Sequence, residues 1–373
     1  MRQPPTPRIP PRTVGLPDTA GAVNLSSMDA SQAGNRGRWV PVLGMLSAVF
    51  VLGGCLTSPG SDGPVRQAQS ADHADHADHA DHADHADHAD RADRADWVRW
   101  KAQRLESAAG TNGWASLVGL HWLPEGASTS GTRPGLDHGF PTGRAPAVVG
   151  VWHRHDAQVR FEPAPGVAVL KNGQPFAGGS LVTDAHGAKP DVILVGHLRI
   201  TVIDRGSRLG LRVKDSLAPT RTGFRGLRYF AWSPEARVPA RLEAAPPGAT
   251  LTLDTVIGGR ESLPLVGTLV FDWAGKPQRL VAALDSETDD LFVLFRDATH
   301  GRETYAAGRF LHAPKPDAAG WTTLDFNRAY NPPCAFTPYA TCPLTPPANR
   351  LGVAIRAGER RTSAGAEAHE TTH

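Results

Sequence analysis

The rhythm of apolar and polar positions changes three times along this chain. Residues 39–53 form a continuous apolar segment that follows Arg36 and Arg38 and closes in Leu52-Gly53-Gly54-Cys55. Residues 71–96 contain no aliphatic side chain larger than Ala. Over 97–107 the spacing is helical, with Trp97, Trp100 and Leu105 near one face and Asp96 placed to cap it. Such a helix would lay two Trp rings on the body as a clasp. Past 110–113 the pattern turns into short alternating runs bounded by Gly, Pro and Asp, as strands require. Strands are expected at 147–152, 158–161, 167–171, 192–195, 198–202 and 209–213. A second series is expected at 237–242, 250–256, 263–273, 278–284, 291–295, 321–326 and 350–355. Residues 291–295 are apolar at every position, as in a central strand covered on both faces. Asn172-Gly173 is a hairpin turn signal.

The expected fold is therefore all-β. Two sandwich-like halves, 97–230 and 231–360, form one body, preceded by a short helix and a disordered tether and followed by a disordered tail at 361–373. No later segment matches the apolar run at 39–53, which is itself short of the roughly 20 residues a permanent bilayer helix needs.

That run has the layout of an export signal: a basic region, a short apolar core, then small residues before a cleavage point. A Cys directly after those small residues resembles the bacterial lipobox, in which the thiol of Cys55 is acylated and residues 1–54 are removed. Met28 is the more natural start for such a signal. Acyl chains would then hold the body to the membrane, in the cell envelope and outside the cytoplasm. Leu56, where an Asp could stand, leans the address towards the outer membrane.

Residues 55–96 would form the tether. Ala-Asp-His occurs six times from Ala71 to His88, and with nine Asp against two Arg the stretch 71–96 carries −7. It offers too little apolar surface to offset the entropy of ordering. His73, His76, His79, His82, His85 and His88 recur every third residue, a spacing able to present imidazoles to a divalent metal such as Zn, Cu or Ni. Replication slippage alone produces such a run and is the favoured origin. The body is left mildly basic, too dilute in Lys and Arg for nucleic-acid binding. The remaining His residues, His121, His300 and His312 among them, show no metal-ligand spacing, and no cofactor motif is present.

The densest polar cluster lies near the C-terminus. It offers Asp297, Tyr305, Arg309, Asp325, Asn327, Tyr330 and Asn331 as candidate ligand-binding residues. Asp297 and Asp325 could act as an acid/base pair or hold a cation, and Arg309 could take an anion through its planar fork. The same residues also serve ordered loops that must satisfy buried backbone groups. Two function classes stay open: an anchored ligand-binding or structural β module, and a hydrolase using Asp297, Arg309 and Asp325. Cys334 and Cys342 flank one Pro-punctuated loop, and with Cys55 acylated an oxidising setting favours a disulfide between them. Free buried thiols and half of a zinc site are the alternatives.

Asn331-Pro332-Pro333-Cys334-Ala335-Phe336, with Gly119-Leu120-His121-Trp122-Leu123 and the runs at 205–215 and 224–230, resembles a bacterial and archaeal family of unknown function, DUF1684. The resemblance implies that 97–360 is one inherited unit and implies no activity. Within the first half, the order of Gly131-Thr132-Arg133, short strands and Asn172-Gly173 is similar to forkhead-associated sandwiches. Ala145-Pro146-Ala147-Val148 stands where their phosphate-binding Ser and His would be expected.

Overall fold

Alternation along β10 (Leu198–Arg205) and β11 (Arg208–Asp215) sends Leu198, Ile200, Val202, Leu209, Leu211 and Val213 to one side, where all are buried in a common core. The computed structural model describes residues 72–362 except Ser207 and Ser286, with side chains from Asp90 onward other than that of His186. Cys55, the export segment and the stretch 55–71 lie outside the described residues. In the first half the strands before that pair are β1 (Leu117–Trp122), β2 (Gly126–Gly131), β3 (His138–Gly139), β4 (Gly150–His155) and β5 (Gln158–Pro163). They are followed by β6 (Leu170–Lys171), β7 (Gln174–Pro175), β8 (Gly179–Leu181) and β9 (Val192–Val195). A six-stranded sheet, β1-β11-β10-β9-β6-β7, packs on a five-stranded one, β3-β2-β4-β5-β8. Trp152 and Phe161 from the smaller sheet stack with centroids 4.2 Å apart, and the indole N–H of Trp152 donates to Ser130 Oγ at 2.8 Å. The expected turn at Asn172-Gly173 joins β6 to β7 with both residues at positive φ (53° and 85°), as a two-residue hairpin of that hand requires.

The second half is built from β12 (Arg237–Ala244), β13 (Thr250–Asp254), β14 (Arg260–Trp273), β15 (Lys276–Leu284), β16 (Leu291–Phe295), β17 (Arg309–Ala313) and β18 (Trp321–Asp325). Its seven-stranded sheet runs β17-β16-β15-β14-β12-β18 with β13 paired to β14, and β17 and β18 approach one another. The curled sheet wraps a core of Leu269, Leu280, Leu291, Val293, Phe295, Leu311, Leu324 and Phe326.

Two expectations need correction here. No strand forms at 350–355. That segment runs as an irregular strap, its Leu351 N–H donating to Arg296 O at 2.7 Å and its Ile355 N–H to Asp297 Oδ2 at 2.6 Å. A polar carboxylate and single bridges replace a ladder, so periodicity alone misleads. Conversely, a strand not among those expected, β17, begins at Arg309 of the polar cluster and buries Phe310 and Leu311.

The clasp is real but longer than expected. Helix α1 runs Asp72–Ala109, so Asp96 lies inside it, and residues 72–96, expected as part of an unstructured tether, continue its backbone. Ala at every third position favours helix, and extending a turn already docked on the body avoids the cost of nucleation. The Trp97 ring is buried against Tyr229 with centroids 6.0 Å apart and donates its N–H to Asn327 O at 2.9 Å; Trp100 meets the same Tyr at 6.1 Å. Leu105, expected on this face, is exposed; the buried position one turn on is Arg104. At the other end, Arg361 N–H donates to Glu303 O at 2.9 Å, so the chain stays engaged into the expected tail.

Candidate functional site

Arg104 leads into an aromatic cleft. It lies between the last turns of α1, Trp114, the start of β14 and the β16–β17 pair, and encloses about 370 Å³, within the size range of small-molecule sites. Phe292 on β16 and His312 on β17 are cross-strand partners with ring centroids 5.1 Å apart. Phe310 packs edge-on to Phe292 at 4.9 Å and to Tyr330 at 5.8 Å. Tyr330 is held by a reciprocal backbone pair with Phe310, at 2.8 and 2.9 Å. Its hydroxyl stands 2.9 Å from His312 Nε2, while His312 Nδ1 faces Asp285 Oδ2 at 3.5 Å. The carboxylate favours the proton on Nδ1, which leaves Nε2 to accept from the Tyr330 hydroxyl. Burial lowers the His312 pKa against the opposing pull of Asp285 and Asp290, and burial raises that of Tyr330 well above the usual phenol range. Near neutral pH both are therefore uncharged. The guanidinium of Arg104 covers the Tyr330 ring at 4.6 Å and pairs with Glu359 at 3.0 Å.

The cleft thus offers aromatic walls, a neutral imidazole–phenol pair and a carboxylate behind it. It can stack on a planar or apolar body and orient a polar group. Of the residues picked out from sequence, only Tyr330 lines it. His312 also lines it, although in the sequence it stands only among the histidines without metal-ligand spacing. The signal that could have found it is a His on a strand of otherwise buried residues, opposite Phe292.

The other candidates serve the fold. Asp297 and Arg309 are each 1% exposed and pair at 3.2 Å. Asp297 Oδ1 also accepts from Thr299 Oγ1 at 2.6 Å, and Oδ2 from Ile355 N–H at 2.6 Å. Arg309 donates to the carbonyls of Ile355, at 2.9 Å, and Ala357. Burial lowers its pKa to about 10 against the pull of Asp297 and Glu359. Asp325 has different partners: it caps the 3₁₀ turn at Asn327, accepting from its N–H at 3.1 Å, and pairs with Arg328 at 3.3 Å. The two carboxylates therefore do not form an acid/base pair. Asn327 exchanges hydrogen bonds with Ser233, at 2.8 and 3.0 Å. The Asn331 amide donates to Arg360 O at 2.9 Å, and the Tyr305 hydroxyl to Cys334 O at 3.0 Å.

The expected disulfide is not formed. Cys334 and Cys342 are free, buried thiols, and the Cys334 N–H donates to Cys342 Sγ at 3.2 Å. The short loop brings them together as expected, but inside an apolar cluster with Tyr305, Phe310 and Phe336, where they pack as small hydrophobes. The side chains of His73, His76, His79, His82, His85 and His88 lie outside the described residues. Among those described, the one group of side chains close enough to share a metal is Glu125, His155 and Asp156, all exposed. In the first half, Thr132 and Arg133 donate their N–H groups to Pro146 O and Ala147 O at 3.2 and 3.0 Å. Residues 145–148 supply neither hydroxyl nor imidazole there.

Comparison with known proteins follows the second half of the body. Residues 222–360 match the family described as "Protein of unknown function (DUF1684)". The match begins after the first sandwich, so it is narrower than the resemblance expected over 97–360. The solution NMR structure of an uncharacterized protein of Haloarcula marismortui is 38% identical over 38% of this chain and 78% of its own, with a TM-score of 0.33. No curated protein matches the chain.

Proposed function

The chain belongs to the DUF1684 family, and from that premise we propose that it is an envelope lipoprotein whose body binds a small organic molecule in the aromatic cleft. The observation that carries the reading is the Asp285, His312, Tyr330 line set among Trp114, Phe292 and Phe310 around a cavity of about 370 Å³. Aromatic walls supply stacking, and the polar line supplies orientation. The ligand class is a planar or apolar molecule with at least one hydrogen-bonding group. Anchoring rests on the Leu52-Gly53-Gly54-Cys55 order. Acylated Cys55 would tie the body to the membrane, with the outer membrane favoured by Leu56.

Native mass spectrometry of protein purified from its own envelope tests the binding reading. Wild type should carry a bound small-molecule mass. Leu284→Trp, which fills the cleft from β15, should lose it while keeping its melting temperature. A ligand mass retained by the filled variant would remove the cleft from consideration. Anchoring is tested separately by Cys55→Ala, which should leave a precursor that is unprocessed or processed without lipid.

A second reading has one observation behind it. The neutral His312, backed by Asp285 and bonded to Tyr330, is arranged as a general base would be. That arrangement, and not Asp297, Arg309 and Asp325, would carry any reaction, because the latter are occupied by structural partners.

A further inference from the structure

Strand β11 turns its apolar residues inward and presents Arg208, Arg212 and Lys214 on the opposite face. Across from them on β10, Arg205 pairs directly with Arg208, and Arg199 with Lys214. Like charges directly opposite on adjacent strands are destabilising, and this sheet has two such pairs within one hairpin. Gly210 sits between them with no side chain, and a Cβ there would come within 2.9 Å of the Trp122 ring, so the indole lies across the strand. The Arg208 guanidinium rests on that indole at 3.7 Å. This face and the turn joining β13 to β14 enclose a cleft of about 850 Å³. It neighbours the aromatic cleft, with which it shares Glu261 and Glu287.

The cations here are not equally satisfied. Arg205 pairs with Asp184 at 3.1 Å, and Arg260 with Asp254 at 3.4 Å. Arg208, besides the indole, donates to the Ile257 carbonyl at 3.5 Å and has no ion pair among the described residues. Arg212 has no ion pair among the described residues, and its buried Nε has no hydrogen-bond partner there. Its guanidinium faces the Trp114 ring at 5.4 Å. Asp204, Glu261 and Glu287 also line the cleft, yet none of them lies within ion-pair distance of Arg212 among the described contacts. A buried guanidinium nitrogen without an acceptor is costly and rare.

We infer that the cleft between the outer face of β10–β11 and the β13–β14 turn binds a small soluble molecule bearing a phosphate group, with Arg212 and Arg208 as its principal anchors. A phosphate would supply the acceptors Arg212 lacks and relieve the repulsion within the hairpin, and guanidinium groups match its geometry bidentately. The recessed shape, walled by the β13–β14 turn, suits a small soluble molecule better than a flat membrane surface. The electrostatics agree: burial first, then Arg205, lowers the Arg212 pKa to about 10, and burial, then Arg212 and Arg199, lowers that of Lys214 to about 8. Burial also raises the Glu261 pKa, which weakens its competition for the arginines.

The test is thermal denaturation and calorimetry of the full chain with inorganic phosphate and pyrophosphate, against chloride at matched ionic strength. Phosphate also stabilises proteins generally by exclusion from their surfaces, so the difference between wild type and variants decides. Wild type should show saturable binding. Arg212→Met should bind about tenfold more weakly or worse, while melting higher than wild type without ligand because a half-buried cation with an unpartnered nitrogen is gone. Arg208→Gln, on the more accessible anchor, should weaken binding with little change in the unliganded melting temperature, and it serves if Arg212→Met does not fold. No saturable response in wild type, or equal responses in wild type and variants, would overturn the site. Binding to phosphatidylglycerol vesicles without binding to either free anion would overturn the soluble-ligand assignment.

Discussion

Asn349 makes three hydrogen bonds with a side chain that is fully buried. Its amide donates to Val281 O and Leu294 O, each at 2.8 Å, and its carbonyl accepts from Val281 N–H at 2.7 Å. One residue therefore stitches the C-terminal strap to both β15 and β16. Asn349→Leu keeps a similar volume but strands three buried backbone groups, and should cost about 3 kcal/mol or more in urea denaturation. A loss below about 1 kcal/mol, the usual net value of a single hydrogen bond, would show that water takes over these roles. Asp297 and Arg309 act in the same way: their partners are the backbone of 355–357, far along the chain. The sequence marked this cluster as dense in polar groups, and so as something to be explained. Its role was not legible, because a polar side chain reads alike whether it awaits a ligand or closes a loop, and its partners lie dozens of residues away.

Helix α1 is legible in part for a related reason. Trp97 and Trp100 are large enough to announce a buried face, and both meet Tyr229. Arg104 on the same face carries no such signal, since charged residues are seldom buried, yet it is 7% exposed and pairs with Glu359 at 3.0 Å. Contacts of α1 with the body are described from Asp93, which pairs with Arg237, onward. Deleting 71–90 should therefore leave the melting temperature within about 2 °C of wild type, since those contacts begin beyond it. Trp97→Ala should lower stability by about 3–5 kcal/mol and free the Asn327 carbonyl. A large loss from the deletion would mean that the repeat itself packs on the body. Strands were easier to read than the helix, since 192–195 and 291–295 match β9 and β16 end to end. The omissions were β1, β2 and β17, whose glycines or charges interrupt the alternation, and β3, β7 and β8, which are too short to show one.

At the scale of the whole molecule, three imidazoles, that of His138 buried and those of His121 and His312 half-buried, make stability depend on pH. Burial, then His138, lowers the His121 pKa to about 4, and burial also lowers those of His138 and His312. A histidine held below its unfolded value contributes stability that is present above about 6.5 and is lost as pH falls through the folded value. The melting temperature should therefore drop between about pH 6.5 and 4, and His121→Gln should reduce that drop. A flat profile over this range would mean that water reaches these rings. Glu359 works in the opposite sense, since burial raises its pKa and its contribution declines as pH rises above the ordinary glutamate range. The account's central claim is a division of labour: the Asp297–Arg309 network holds the fold, and the cleft at His312 and Tyr330 holds the ligand. The most direct test compares bound ligand per folded molecule, by native mass spectrometry, in Asp297→Asn and Leu284→Trp purified alike from the envelope. The account predicts that Asp297→Asn melts lower yet keeps the ligand at the wild-type ratio, while Leu284→Trp melts normally and is empty. Ligand lost from folded Asp297→Asn and kept by Leu284→Trp would contradict it.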